Sequence, residues 1–405
     1  MPDLRRLSRG AAAAVVIGST AAACCALSAL ADTGAGTAPV VVSLADAPQV
    51  HVQPRLVEPV AGVAGAHRPV ATRAGHRHRA GVVRPATASP ALSGSLAHAI
   101  GAKVMTGMDG TYPSRALLSR VRKGEIGGVI LMGANVSPQL PAAIAALQHA
   151  AARADDPPLV IATDQEGGEV RRLPNAPPVE PPATMGGNIE HQGRITARAL
   201  LAERINTDLA PVADVLHRGS FIGSRSFGSN PAKVAGKACQ FAIGLQSAGV
   251  NATFKHFPGL GDAITNTDLQ ATTVAASKAT LLADLLPYRS CQPRLVMVSN
   301  ADYPALGSDG PAVFSAAVVT TLLRRQLGFR GVTISDTLGA PEVAGPGAVV
   351  RASKAGVDML LYTDESGAAS AYNELIKAVE KHTLSQSAVR ASAARIYALA
   401  ESPGG

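Results

Sequence analysis

Tryptophan is absent from the 405 residues, and Phe and Tyr together supply only 3% of them. That scarcity argues against the interleaved aromatic platforms on which single-stranded nucleic acid stacks, and it leaves a core to be built from Ala, Val, Leu and Ile. Charge is sparse too, at 16%, whereas 47% of residues are hydrophobic; a chain so composed can bury a large core and is not disordered as a whole. The net charge of +8 excludes less than it promises, because residues 1–95 hold nine Lys/Arg against four Asp/Glu and the remainder 28 against 25. The basicity belongs mostly to the N-terminal extension. No G-x-G-x-x-G turn occurs at Met105–Gly110, no G-x-x-x-x-G-K-[ST] occurs anywhere, and no Cys/His spacing suits a metal site.

The extension reads as export machinery. Arg5, Arg6 and Arg9 precede a small apolar stretch from Ala11 to Leu30, and Ala29-Leu30-Ala31 before Asp32 has the small-residue pattern of a signal-peptidase site. The expected organisation is a signal peptide over 1–31, an Ala/Pro/Arg/His-rich linker over 32–95, and one folded domain over 96–405. Gly18, Ser19, Thr20 and Ser28 interrupt the apolar stretch as a membrane span, and a lipid anchor at Cys24 is the alternative attachment. After cleavage Cys239 and Cys291 remain as an even pair, open between one disulfide and two separate buried thiols.

From about Ser95 short apolar runs alternate with Ala-rich helical stretches. The runs are 103–108, 128–132, 159–163, 208–212, 251–254, 295–298, 331–335 and 357–362; helical patterns occupy 138–154, 231–248, 278–289 and 315–327 between them. Eight β-α units in about 310 residues predict an α/β fold, a closed (β/α)8 TIM-type barrel, with its chemistry at the C-terminal ends of the strands. Those ends are rich in charge. The third run ends in Asp164-Gln165-Glu166-Gly167-Gly168 with Arg171 and Arg172 beyond; the fourth in Asp214 with Arg225 following; the fifth in Lys255-His256, then a loop with Asp262 and Asp268; the seventh in Ser335-Asp336. Alternating carboxylates and cations can hold the hydroxyls of a sugar without a metal, and glycoside hydrolysis needs two carboxyl groups, one at the anomeric carbon and one to protonate the leaving oxygen.

The segments GGVILM (127–132), ATDQEGG (162–168), LAPVAD (209–214), IGSRSFG (222–228), KHFPGLG (255–261) and FRGVTISD (329–336) resemble, in order, glycoside hydrolase family 3 and within it the single-domain β-N-acetylglucosaminidases. The resemblance implies a retaining β-glycosidase with Asp336 as nucleophile. It further implies that Asp164, Arg172, Arg225, Lys255 and His256 hold the sugar, with Asp214 as a supporting carboxylate in the substrate site and no cofactor. Helix capping is the competing role for Asp336, backbone bonding inside the core for His256, and bonding to the amides of its own turn for Glu166.

One departure matters. Where the family carries an Asp-Ser-His triplet with the His as acid/base, this chain has Asn266-Thr267-Asp268, and Leu260 replaces another common His. The proton donor is then Asp268, or Asp262, or missing. Asn300, at another altered position, could donate to a substrate oxygen or serve its loop. The leading expectation is an exported, monomeric β-N-acetylglucosaminidase acting on envelope glycans, peripherally associated with the envelope and binding carbohydrate, not nucleic acid. A β-glucosidase on the same barrel and a silent glycan-binding protein are the alternatives.

Overall fold

The computed structural model describes residues 95–404; the expected signal peptide, linker and Cys24 lie outside the described residues. The apolar runs become eight parallel strands: β1 Val104–Gly107, β2 Gly128–Leu131, β3 Val160–Thr163, β4 Thr207–Asp208, β5 Asn251–Phe257, β6 Leu295–Val298, β7 Val332–Ser335 and β8 Leu360–Leu361. Each pairs with the next, and β8 pairs with β1 through Val104↔Leu360. The ring closes between β7 and β8 at the Ile334↔Met359 bridge, where Ser335 N donates to Met359 O at 2.9 Å. The chain is therefore a (β/α)8 barrel, as the β-α alternation predicts.

Alternate residues of each strand face opposite ways. Met105, Ile130, Val160, Ala162, Leu209, Leu295, Met297, Val332, Ile334, Met359 and Leu361 form one apolar cluster that fills the interior. Their strand neighbours, such as Val104, Val129 and Ile161, join the larger cluster beneath the surrounding helices.

Several element boundaries differ from the sequence expectation, β5 extending to Phe257 and β8 shrinking to Leu360–Leu361 among them, and two of the differences trace to proline. The fourth run narrows to Thr207–Asp208 because Pro211 has no N–H for the ladder; the chain rejoins the sheet at the Val212↔Lys255 bridge. The single helix expected over 278–289 is two, Lys278–Asp284 and Leu286–Ser290, with Pro287 in the first turn of the second, where a missing N–H costs nothing. The stretch at 315–327 winds as a π-helix over Ala317–Gln326. Cys239 and Cys291 are free thiols. No helix among the described residues is long and apolar enough to cross a membrane.

Candidate active site

The ends of β3, β5 and β7 and the loops beyond them enclose a cavity of about 490 Å³. Asp164, Glu166, Arg172, Arg225, Lys255, His256, Asp268 and Asp336 all line it, whereas Asp214, Asp262 and Asn300 do not.

β3 delivers Asp164, and the chain then turns through a short hairpin of Gln165–Gly167 with Val170–Arg171. The buried Gln165 side chain locks this hairpin: its amide nitrogen donates to the carbonyls of Leu173, Ala176 and Pro177, and its oxygen accepts from Leu173 N. Glu166 is thereby turned inward. Both its oxygens accept from Arg225 at 2.8 Å, and Lys255 Nζ lies 2.7 Å from Oε1. Burial alone would raise the Glu166 carboxyl, but Lys255 and Arg225 outweigh it and hold it at about 2. Glu166 thus bonds to cations and not to the amides of its own turn. Burial likewise lowers Lys255, and Asp164 and Glu166 more than offset this, so the ammonium stays charged. Lys255 Nζ also donates to Asp164 Oδ1 at 2.6 Å, with Arg172 3.7 Å from Oδ2. Three cations face two carboxylates, leaving about one positive charge to meet ligand oxygens; Arg172 Nε is buried with no partner. Behind them sits Asp208 at the end of β4, whose carboxyl burial raises well above the ordinary range against the Gln165 amide it accepts.

His256 follows Lys255 on β5. Its Nδ1 lies 2.8 Å from Asp214 Oδ2, and Asp214 Oδ1 accepts from the backbone N–H groups of His256 and Leu260. A carboxylate opposite Nδ1 fixes the proton there and leaves Nε2 free. Asp214 is fully buried, so its place as a substrate contact is corrected: it orients His256 one layer behind the cavity.

β7 ends at Asp336, whose Oδ1 accepts from Thr337 N at 2.8 Å while Oδ2 has no protein donor among the described residues. The next helix starts only at Ala348, so Asp336 is not a helix cap. Burial raises its carboxyl above the ordinary Asp range, repulsion from Asp268 adds to that, and His256 pulls the other way. Asn300, fully buried beneath, donates to Thr337 O at 2.9 Å; it supports the turn that follows Asp336 and does not reach the cavity.

The loop after β5 brings Asp268 to the cavity wall through an Asx turn in which Asp268 N donates to Asn266 Oδ1 at 2.9 Å. Asp262 points elsewhere, 3.7 Å from His217 Nε2, which removes it as a proton donor. Sequence reasoning missed the apolar part of the wall, Met132, Phe221, Met297 and Leu361, which gives the cavity the mixed character of a small-molecule site. Strand alternation could have marked Met297 and Leu361 as inward; Phe221 lies on a long loop with no such signal.

Residues 96–399 match the glycosyl hydrolase family 3 N-terminal domain. An uncharacterized secreted glycosyl hydrolase of Arthroderma benhamiae is 37% identical over 337 residues, covering 78% of this chain and 96% of the fungal one. A beta-hexosaminidase of Tolumonas auensis is 36% identical over 60% of this chain and 76% of its own. Among solved structures, a family 3 beta-N-acetylglucosaminidase from Paenibacillus superposes with a TM-score of 0.72 at 32% identity, covering 75% of this chain. This chain spans 62% of the Paenibacillus protein's length.

Proposed function

The chain belongs to glycosyl hydrolase family 3, and on that premise we propose that it is a retaining β-N-acetylglucosaminidase with Asp336 as nucleophile and Asp268 as proton donor. Asp336 Oδ2 attacks the anomeric carbon, forming a glycosyl ester as the glycosidic C–O bond breaks, and Asp268 gives its proton to the departing oxygen. Asp268 then takes a proton from water, whose oxygen displaces Asp336 and regenerates the carboxylate. Asp164, Arg172, Lys255 and His256 Nε2 hold the sugar hydroxyls, and Glu166 holds Lys255 and Arg225 in place. The observation that carries this reading is that Asp268 lines the same cavity as Asp336 and adds to the rise of its carboxyl. An N-acetyl sugar is favoured by the names of the Tolumonas and Paenibacillus relatives.

The test is hydrolysis of aryl β-N-acetylglucosaminides and aryl β-glucosides. Asp336→Ala should lose turnover on every substrate. Asp268→Ala should fall about 10² to 10⁴-fold on poor leaving groups and much less on activated ones. Preference for the glucoside would move the specificity, and oligosaccharide binding without turnover would leave a glycan-binding protein.

We also propose that the protein acts outside the cytoplasm on glycans of the cell envelope. The leader pattern of residues 1–31 and the secreted Arthroderma relative support this. N-terminal sequencing of protein recovered from culture medium or envelope should read from Asp32; an intact Met1 in that material would count against it.

A further inference from the structure

Away from the cavity, three ligand-bearing side chains from three separate elements meet. His217 lies on the loop after β4, Asp262 at the root of the loop that carries Asp268, and Asp284 is the last residue of helix Lys278–Asp284. His217 Nε2 is 2.8 Å from Asp284 Oδ2 and 3.7 Å from Asp262 Oδ2, and the three ligand atoms lie within 4.8 Å of one another.

Hydrogen bonding does not complete this group. Asp262 Oδ2 is shielded from solvent and accepts no hydrogen bond, although such an atom normally has a partner. Among the described residues neither Asp262 nor Asp284 makes a salt bridge to Lys or Arg. Two carboxyl groups therefore share one imidazole, with no Lys or Arg beside them among the described residues. The ring is about one-third exposed, at 31%, so the group is open to solution on one side.

We propose that His217, Asp262 and Asp284 bind a divalent transition-metal cation, with zinc the best match. One imidazole and two carboxylates form a donor set zinc accepts, and bond lengths of about 2.0–2.2 Å in a tetrahedron separate ligand atoms by roughly 3.3 Å. The two measured spacings lie on either side of that value, so binding needs a small opening of the 2.8 Å contact and a small closing of the 3.7 Å one. Solvent supplies the fourth ligand from the exposed side. The sequence hides this site because its members are 22 to 67 positions apart and match no short motif. Since His217 N donates to Gly261 O at 2.9 Å, the cation would fasten the root of the Asp268 loop to two neighbouring elements. The proposal does not depend on the glycosidase reading, because its readout is bound metal.

The experiment strips the whole chain with a chelator, dialyses it against zinc chloride and measures bound zinc by elemental analysis and calorimetry. About one zinc per chain is expected, with a rise in Tm on loading. His217→Gln and Asp284→Asn should each abolish the tight site while circular dichroism shows the barrel intact. Asp268→Asn and Asp336→Asn should leave it. No zinc above background, or a stoichiometry unmoved by His217→Gln and Asp284→Asn, overturns the proposal. So does loss of binding in the Asp268 and Asp336 variants alone, which places the metal in the cavity.

Discussion

The nucleophile proposed at position 336 has to be ionised to attack, and its surroundings resist ionisation. Burial is the main cause, the charge of Asp268 the next, and His256 opposes both. The acid limb of kcat/KM should then lie above the usual Asp value of about 3.9. Asp268 carries the proton it donates and exerts its repulsion only once ionised, so Asp268→Asn, which is neutral as well, should leave the acid limb in place. The measurement needs an aryl substrate with a good leaving group, for which proton donation matters little. A limb that moves to lower pH in the variant would show that Asp268 is already ionised where Asp336 titrates, and would remove it as the proton donor. Asp336 is marked in the sequence by its place at a strand end, and Asp268 by standing where the resembled family carries its acid/base triplet. Their support is not, because the Glu166–Arg225 and Asp214–His256 pairings join residues 59 and 42 positions apart, which only barrel closure brings together. The charges of Asp214 and Glu166 are visible in a linear reading, and their burial and partners are not.

At the scale of elements, the loop after β5 decides whether the proton donor is in reach. Its root is crowded: a Cβ on Gly261 would lie 1.6 Å from the carbonyl oxygen of Val215, so the backbone must move to admit any side chain. Farther along, the Thr265 and Thr272 hydroxyls meet at 2.7 Å, and Thr272 O accepts from Asp302 N at 2.9 Å. Gly261→Ala should therefore displace the Asp268 loop, cost about 1–3 kcal/mol in stability, and slow substrates with poor leaving groups more than activated ones. Paired denaturation and kinetic assays would separate the two effects, and equal slowing of both substrate classes would detach the loop from proton transfer. The strands were legible as apolar runs, and the breaks at Pro211 and Pro287 were present in the sequence. Apolar periodicity carries on through an isolated proline, so pattern reading overran both. The π-winding of Ala317–Gln326 had no comparable mark, since its apolar positions also suit an ordinary helix.

Across the whole molecule, a second buried charge cluster lies away from the cavity, tying the segment before β1 to that before β8. Asp358 is fully buried and pairs with Arg324 and Arg395; it also accepts from Thr333 N and Ser392 Oγ. Lys103, buried just before β1, donates to the carbonyls of Val357 and Asp358, and burial pulls its ammonium down to about 8 despite Asp358. Burial would raise the Asp358 carboxyl, but Arg395, Arg324 and Lys103 together hold it below its usual range. Removing that single anion leaves three cations in one poorly solvated region. Asp358→Ala should cost about 3–5 kcal/mol, the usual penalty for breaking a buried pair and stranding its partner. The folded-state carboxyl is depressed, so its contribution is complete above the unfolded value of about 3.9 and fades as pH falls through the folded one. Urea denaturation of wild type and variant at neutral pH should show the full gap, and the gap should narrow in acid. A difference below about 1 kcal/mol at neutral pH would mean that solvent reaches Arg324 and Arg395 once the carboxylate is gone, and that closure of the ring between β7 and β8 rests on its backbone hydrogen bonds and the apolar interior.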